Sequence, residues 1–407
     1  MSGTVLLIGT FDTKAEEYAF VRSAILAQGG SVLAMDIGVF GAGTDVPFSI
    51  DVTAEAVALA GGVPLAELRS AGDRGRAVHA MQEGARVLVR NLFAARSFDG
   101  IIGLGGGGGT TMITAAMREL PVGVPKVMVS TMASGQTAPY VGEKDITMMY
   151  SVVDIAGVNP VSARILGNAA GAICGMLASR QEDARPPARP MIAATMFGVT
   201  TPCVTAARRR LEAAGYDVLV FHATGSGGRA MEGLIRDGVF AGVLDVTTTE
   251  WCDEVVGGVL SAGPERLSAA GRRGVPQVVS IGALDMVNFG AADTVPERFR
   301  TRTLYHHNAT VTLMRTSADE CREIGRRIML QLAQATGPVV LMIPLRGVSM
   351  LDAEGQPFRD VEANRALFQS LREYASPNVT IREIDAHIND PEFADALADT
   401  LLTLLSS

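Results

Sequence analysis

The chain has 407 residues, 48% hydrophobic and 19% charged, with a net charge of −8. That length supports two or more domains with large cores, and the acidic balance argues against nucleic acid or an anionic membrane as partner. No apolar run reaches the roughly eighteen residues of a membrane helix, the N-terminus MSGTVLLIGTFDTK lacks a signal peptide's basic stretch, and the four cysteines stand singly, so that no zinc site or disulfide framework is expected and a reducing cytoplasm is the expected location.

Residues 4–9 form a short apolar run that reads as a buried strand, and 14–28 has helical spacing stopped by Gly29 and Gly30. Residues 31–36 are the next strand, and 101–104, 126–130 and 146–150 repeat the signal with helical segments between. Short apolar strands separated by helices predict a parallel sheet covered on both faces. The charged, proline-rich stretch 181–190, QEDARPPARP, reads as a linker. It divides a first domain, 1–180, from a second, 191–407. There the pattern restarts with a strand at 191–196, a helix at 201–215 and a strand at 217–221. Further strands are predicted at 240–244, 277–281, 339–343 and 379–381, and a final helix at 392–405. The expected fold class is α/β, in two domains of similar plan with mainly parallel sheets. In such sheets ligands sit beyond the carboxyl ends of the strands.

The loop after the third strand of the first domain is IIGLGGGGGTTM, with Gly105, Gly106, Gly107, Gly108 and Gly109 in succession and then Thr110 and Thr111. A helix is predicted over 110–120. Bare glycines at a helix start let phosphate oxygens approach free backbone N–H groups, and the threonines would add hydroxyls or a cap. The alternative is a tight turn with close helix–sheet packing, for which five glycines are more than needed. No lysine follows, so this is not a Walker A loop, and no acid ends the next strand as a dinucleotide fingerprint would want.

Two neighbouring loops are expected to meet it. Thr10, Phe11, Asp12, Thr13 and Lys14 follow the first strand. Lys14 offers a compact charge for phosphate, or the segment is an ordinary capped helix. Asp36 ends the second strand, where it would hold ribose hydroxyls or cap a loop. Ser130, Thr131, Ser134 and Gly135 lie on a small polar loop after the fourth strand, followed by Glu143 and Asp145. A carboxylate there would hold Mg²⁺ against phosphate, or the turn is simply solvated.

The stretches GTFDTK, GLGGGGGTT and STMASGQTAPYVGEKDITMMYSVVDIAGVN resemble the ATP-binding domain family typified by the N-terminal half of the tomato mosaic virus resistance protein. VLDVTTTEWCDEVVGGVLSAGPERL, VVSIGALDMVNFG, HHNATVTLMRT and IPLRGVSMLDAEGQPF extend the resemblance beyond the linker. It implies two Rossmann-like subdomains, ATP bound in the N-terminal part, and self-association as a homodimer or higher oligomer. It supplies no reaction.

In the second domain Asp245 and Glu250 follow a strand and open a helix, where acids suit the dipole as well as a substrate. Asp285 and Asn288 sit on the next strand-end loop, to hold substrate hydroxyls or a metal, or to form an Asx turn. His307 and Asn308 follow in YHHN; histidine is the natural acid or base near neutral pH, and a structural histidine is equally common. Arg315 and Arg346 would bind a carboxylate or phosphate, or form ion pairs. Asp285, His307 and Arg315 are the expected catalytic set, with Asp245, Glu250, Asn288, Asn308 and Arg346 around the substrate. Three functions fit. One is an ATP-dependent enzyme acting on a small acidic or carbonyl metabolite at a cleft between the domains. Another is a nucleotide-binding sensor without turnover. The third is a sugar-acid or keto-acid enzyme whose glycine loop binds a substrate phosphate.

Overall fold

Strand β1 (Thr4–Gly9) buries five of its six residues, as expected of an apolar strand with helices on both faces. It lies inside a sheet with β2 (Ser31–Asp36), β3 (Gly100–Gly105), β4 (Lys126–Ser130) and β5 (Thr147–Tyr150), in the order β2-β1-β3-β4-β5. All four pairings are parallel. The structure is a computed structural model and describes residues 3–39, 46–180 and 189–406. The predicted linker falls largely outside the described residues. The chain divides into two units, Met1–Pro186 and Pro187–Ser407.

The second unit carries β6 (Met191–Met196), β7 (Asp217–His222), β8 (Gly242–Thr247), β9 (Gln277–Gly282), β13 (Val339–Pro344) and β14 (Val379–Ile384) in one parallel sheet, ordered β14-β13-β9-β8-β6-β7. Between β9 and β13 the chain builds a separate antiparallel sheet from β10 (Met286–Phe289), β11 (Leu304–Asn308) and β12 (Val311–Arg315), ordered β10-β12-β11. Counted along its own parallel strands, the second unit repeats the first: strand one lies between strands two and three, and the later strands extend one way. In this doubly wound order the connections diverge between the first and third strands, and ligands bind at the crevice there. The fold is therefore α/β with two Rossmann-like units, as expected.

Two local differences from the sequence reading matter. The helix predicted at 110–120 runs over Gly107–Met117, so three of the glycines form its first turn rather than a loop before it. The first helix spans Phe11–Ala27 and begins three residues earlier than expected, with Lys14 at non-helical angles inside it (φ −138°, ψ 33°). One helix, Pro160–Ser179, is long and apolar enough to cross a membrane by length and composition, with a mean hydropathy of 1.3. Its Leu166, Ala169, Ala170, Ile173 and Leu177 pack in the core formed with Val5, Leu7, Val127 and Val129 of the sheet.

Candidate functional site

In the first unit the crevice lies between β1 and β3. Its floor is closed by Tyr18, from the helix after β1. The N–H of Leu104 donates to the Tyr18 hydroxyl (2.9 Å), which has the carbonyls of Leu104 (2.7 Å) and Ile8 (2.9 Å) within bonding distance of its one proton. The pairing between β1 and β3 ends at Ile8 and Gly103, so this hydroxyl joins the two strands just where they part. Burial pushes the phenol's pKa well up. Gly9 is bare for the same reason: a Cβ there would lie 1.7 Å from the Tyr18 hydroxyl oxygen. Sequence reading did not single out Tyr18. An aromatic one helical turn beyond Lys14 looks like ordinary core, and its role depends on a strand some ninety residues away.

Next to these strand ends is a cleft of ≈ 420 Å³, which Tyr18 supports without lining it. Thr10, Asp12, Thr13 and Lys14 line it from the loop and helix start after β1, and Gly105 to Gly109 from the end of β3 and the helix that follows. Ile37 and Val39, with Ala77, Val78 and Met112, give it an apolar wall, and Arg74 and Asp154 complete the polar side. Lys14 Nζ donates to the Ile155 carbonyl, and Glu17 accepts from Gly157 N–H (2.7 Å), so one helix anchors the loop that carries Asp154. Arg74 forms no ion pair among the described residues.

The glycines divide into two groups. A Cβ on Gly103 would lie 2.6 Å from Ile113, and one on Gly105 3.0 Å from the Gly109 backbone. Those two are needed for helix–sheet packing. On Gly106 and Gly109 the nearest atom would be 3.7 Å away, on Gly107 4.0 Å, and on Gly108 none lies within 4 Å. None of these four has a positive φ. Neither backbone conformation nor packing explains them, and glycine costs a helix about 1 kcal/mol per residue relative to alanine. The first intrahelical bond runs from Thr110 N–H to the Gly106 carbonyl (2.8 Å). The N–H groups of Gly107, Gly108 and Gly109 therefore precede the helical ladder, at the positive end of the helix dipole.

Other expected cofactor residues have internal roles. Asp36 accepts from the N–H groups of Phe11 (3.2 Å) and Gly38 (2.8 Å), tying two strand-end loops together; burial raises its pKa, and it does not line the cleft. Thr110 and Ser130 are buried and hydrogen-bonded to each other (2.6 Å). Thr111 donates back to the Gly107 carbonyl (2.9 Å). Phe11 is buried against Tyr18 and Phe48. Thr131, Ser134 and Gly135 are not among the residues lining the cleft. Asp145 pairs with buried Lys126 (2.7 Å), which lowers its pKa and leaves it a structural partner.

In the second unit the corresponding crevice, between β6 and β8, is filled. Arg266 is 1% exposed and bonds Asp245 with two nitrogens (2.5 and 2.7 Å), Glu250 (2.6 Å) and Glu232 (3.2 Å). Thr195 donates to Asp245 (2.7 Å), and Thr247 N–H to Thr195 (3.0 Å). Asp245 and Glu250, expected around a substrate, are thus committed to a buried arginine. The next residue, Leu267, takes a left-handed φ of 72°. Its N–H and that of Ala269 bond Glu232 (2.6 and 2.8 Å).

The remaining expected residues do not all converge on one site. Arg315 is 5% exposed, and all its nitrogens are engaged within the fold, by the carbonyls of Phe358 and Asp360, by Thr316 and by Asn364. No donor is left for a substrate anion. Asn288 donates to Asp253 (2.7 Å). Asn308 accepts from Thr310 in the β11–β12 turn, and Arg346 pairs with Asp385 at the surface. His307 is exposed near the tip of the hairpin. Arg315 lies opposite Thr303 at the other end, the N–H of Arg315 donating to its carbonyl. His307 is four positions along the chain from Thr303, roughly 13 Å of extended strand. The expected catalytic set of Asp285, His307 and Arg315 therefore does not assemble as a triad. Asp285 is buried near Arg315 and accepts from Ser349, so only His307 of the three lies apart. No cluster of three or more metal-ligating side chains is found among the described residues.

Comparison with known proteins agrees with the two-unit division. A protein of Clostridium tetani described as "UPF0261 protein" is 52% identical over 406 residues, covering 100% of both chains. The "ToMV resistance protein Tm-1(GCR237)" of Solanum lycopersicum is 44% identical over 337 residues, 81% of this chain and 45% of the tomato protein. Among solved structures, a thioesterase domain from the curacin biosynthetic pathway covers 55% of this chain at 11% identity with a TM-score of 0.26. Residues 3–182 match the N-terminal domain and residues 189–405 the C-terminal domain of the uncharacterised protein family UPF0261, and the chain belongs to that family.

Proposed function

We propose that the first unit binds the phosphate groups of a nucleotide, ATP in our reading, across Gly106–Gly109 at the β1/β3 crevice. The observation that carries this is a helix started by glycines that neither conformation nor packing requires. Phosphate oxygens would take the free N–H groups of that first turn, with Lys14 and Arg74 supplying positive charge from the cleft walls. The apolar wall of Ile37, Val39 and Val78 suits a base. Asp12 and Asp154 are the carboxylates lining the cleft. Two carboxylates are few for a dedicated metal cage but fit Mg²⁺ that arrives with the nucleotide and keeps phosphate and water ligands.

The second unit favours a role without turnover. Arg315, Asp245, Glu250 and Arg346 are all consumed by internal partners, so the expected residues do not form a catalytic set among the described residues. We therefore propose nucleotide binding as the activity and assign no reaction to the second unit.

The test is Gly108→Ala, at a position with open space around the Cβ. Calorimetric titration with ATP and Mg²⁺ is expected to show affinity reduced by about tenfold or more, roughly 1.4 kcal/mol. Thermal melting is expected to show a protein as stable as the parent or up to about 1 kcal/mol more so. A variant that binds ATP as tightly as the parent defeats the reading.

A further inference from the structure

The segment 345–360 of the second unit crosses the carboxyl ends of β9 and β13 as a strap. Beneath it Asp285 is 1% exposed, and the strap's own Asp352 is wholly buried. The strap's Ser349 donates to Asp285 Oδ2 (2.6 Å), and the Val348 N–H (2.9 Å) and Asn364 Nδ2 (2.7 Å) donate to Asp352 Oδ2. Neither Oδ1 atom has a hydrogen-bond partner. Arg315 fastens the far end of the strap through the carbonyls of Phe358 and Asp360. The His387 ring completes the near end: the Asn389 N–H donates to its Nδ1 (3.2 Å), which leaves Nε2 to donate to the Ser349 carbonyl (2.9 Å). Ala283, whose N–H donates to the Val348 carbonyl (2.9 Å), holds a left-handed φ of 58° directly before Leu284 and Asp285. Such strain in a buried non-glycine residue persists only where its surroundings impose it.

We propose that Asp285 and Asp352 form a proton-dependent latch: a proton retained on this buried pair keeps segment 345–360 closed over β9 and β13, and its loss releases the strap.

Two buried carboxylates in one polar cluster repel when both are ionised, and two buried acceptor atoms without a donor are costly. A single proton removes the repulsion and converts one of those acceptors into a donor. The groups facing Asp285 are Arg315 from β12, Asp352 and Ser349 from the strap, Cys252 from the helix Glu250–Val256 and Cys321 from the helix Ala318–Leu332. Arg359 stands 3.6 Å from Asp352 Oδ1 and is the other nearby cation. Burial, opposed by Arg315, leaves Asp285 raised to about 7, and burial raises Asp352 as well. An exposed carboxyl titrates near ~3.9. The closed form therefore keeps a proton that the released form gives up between about pH 4 and 7. Closure is strongest below that window and weakens as pH rises through it.

Hydrogen–deuterium exchange of the full chain at about pH 5 and about pH 8, corrected for intrinsic exchange, reads the latch directly. Protection of amides in 345–360 is expected to fall by about tenfold or more at the higher pH, since each unit of pKa shift is worth a factor of ten. Asp285→Asn replaces the protonated acid by a permanent donor and is expected to keep the strap protected at both values. Equal protection of the parent at both pH values overturns the proposal, as does an undiminished pH dependence in Asp285→Asn. Should circular dichroism show that variant unfolded, Ser349→Ala serves instead. It is expected to lower protection at acid pH and flatten the dependence, and an unchanged profile overturns the latch.

Discussion

The two units use one strand order and treat its crevice in opposite ways. Between β1 and β3 the chain leaves a cleft, with a tyrosine floor and a helix start stripped to glycine. Between β6 and β8 it packs Arg266 and three carboxylates into the corresponding place. The second solution takes four charges out of water, and such a cluster is tolerable only because every charge has a close opposite partner. Doubly wound topology thus offers a ligand position without obliging the protein to use it. The side chains at the strand ends decide.

The largest expected effect comes from breaking the filled crevice. Arg266→Met leaves Asp245, Glu232 and Glu250 buried around an apolar side chain. A loss of about 3–5 kcal/mol is expected, from the removal of one partner of a buried ion network. Denaturant unfolding measures it, and a variant as stable as the parent would show that the network is not what holds the second unit. Next is the floor of the open crevice. Tyr18→Phe removes the acceptor for the Leu104 N–H and the donor to the facing carbonyls, at a cost of about 1–3 kcal/mol for buried groups left unpaired. If the crevice is the nucleotide site, ATP affinity should weaken with it in calorimetry; stability lost with affinity intact would separate the floor from the site. The glycine substitution already described comes third, since it changes binding with little change in stability. The smallest is Arg346→Ala. Its pair with Asp385 is exposed on both sides, and such pairs are worth ~0–1 kcal/mol. Thermal melting and ATP titration should both be nearly unmoved, and a tenfold loss of binding would restore Arg346 as a ligand contact.

Much of the scaffold was legible because buried parallel strands are short, apolar and bounded by polar turns. The predicted 4–9, 31–36, 126–130 and 191–196 coincide with β1, β2, β4 and β6. The antiparallel β10-β12-β11 sheet was not read. YHHN and VTLMR are brief and their alternation is weak, so their side chains attracted functional readings instead. The glycine helix was placed late because local propensity disfavours a start inside such a run. The roles of Asp245 and Glu250 could not be read, since acids after a strand suit a helix dipole, a ligand or an ion pair equally well. Their partner Arg266 lies in the plain-looking PERL, 21 and 16 residues away. His387, in DAHIND, passed unnoticed because its ring contacts a backbone carbonyl 38 residues distant.

The tyrosine under the first crevice has a spectroscopic consequence. The chain has six tyrosines, and Tyr18 is fully buried with its hydroxyl shared between two strands. It should hold its proton in alkali that ionises an exposed phenol. In a spectrophotometric titration its phenolate absorbance would appear only as β1 and β3 separate, so a lagging sixth tyrosine would time the opening of that seam without any label.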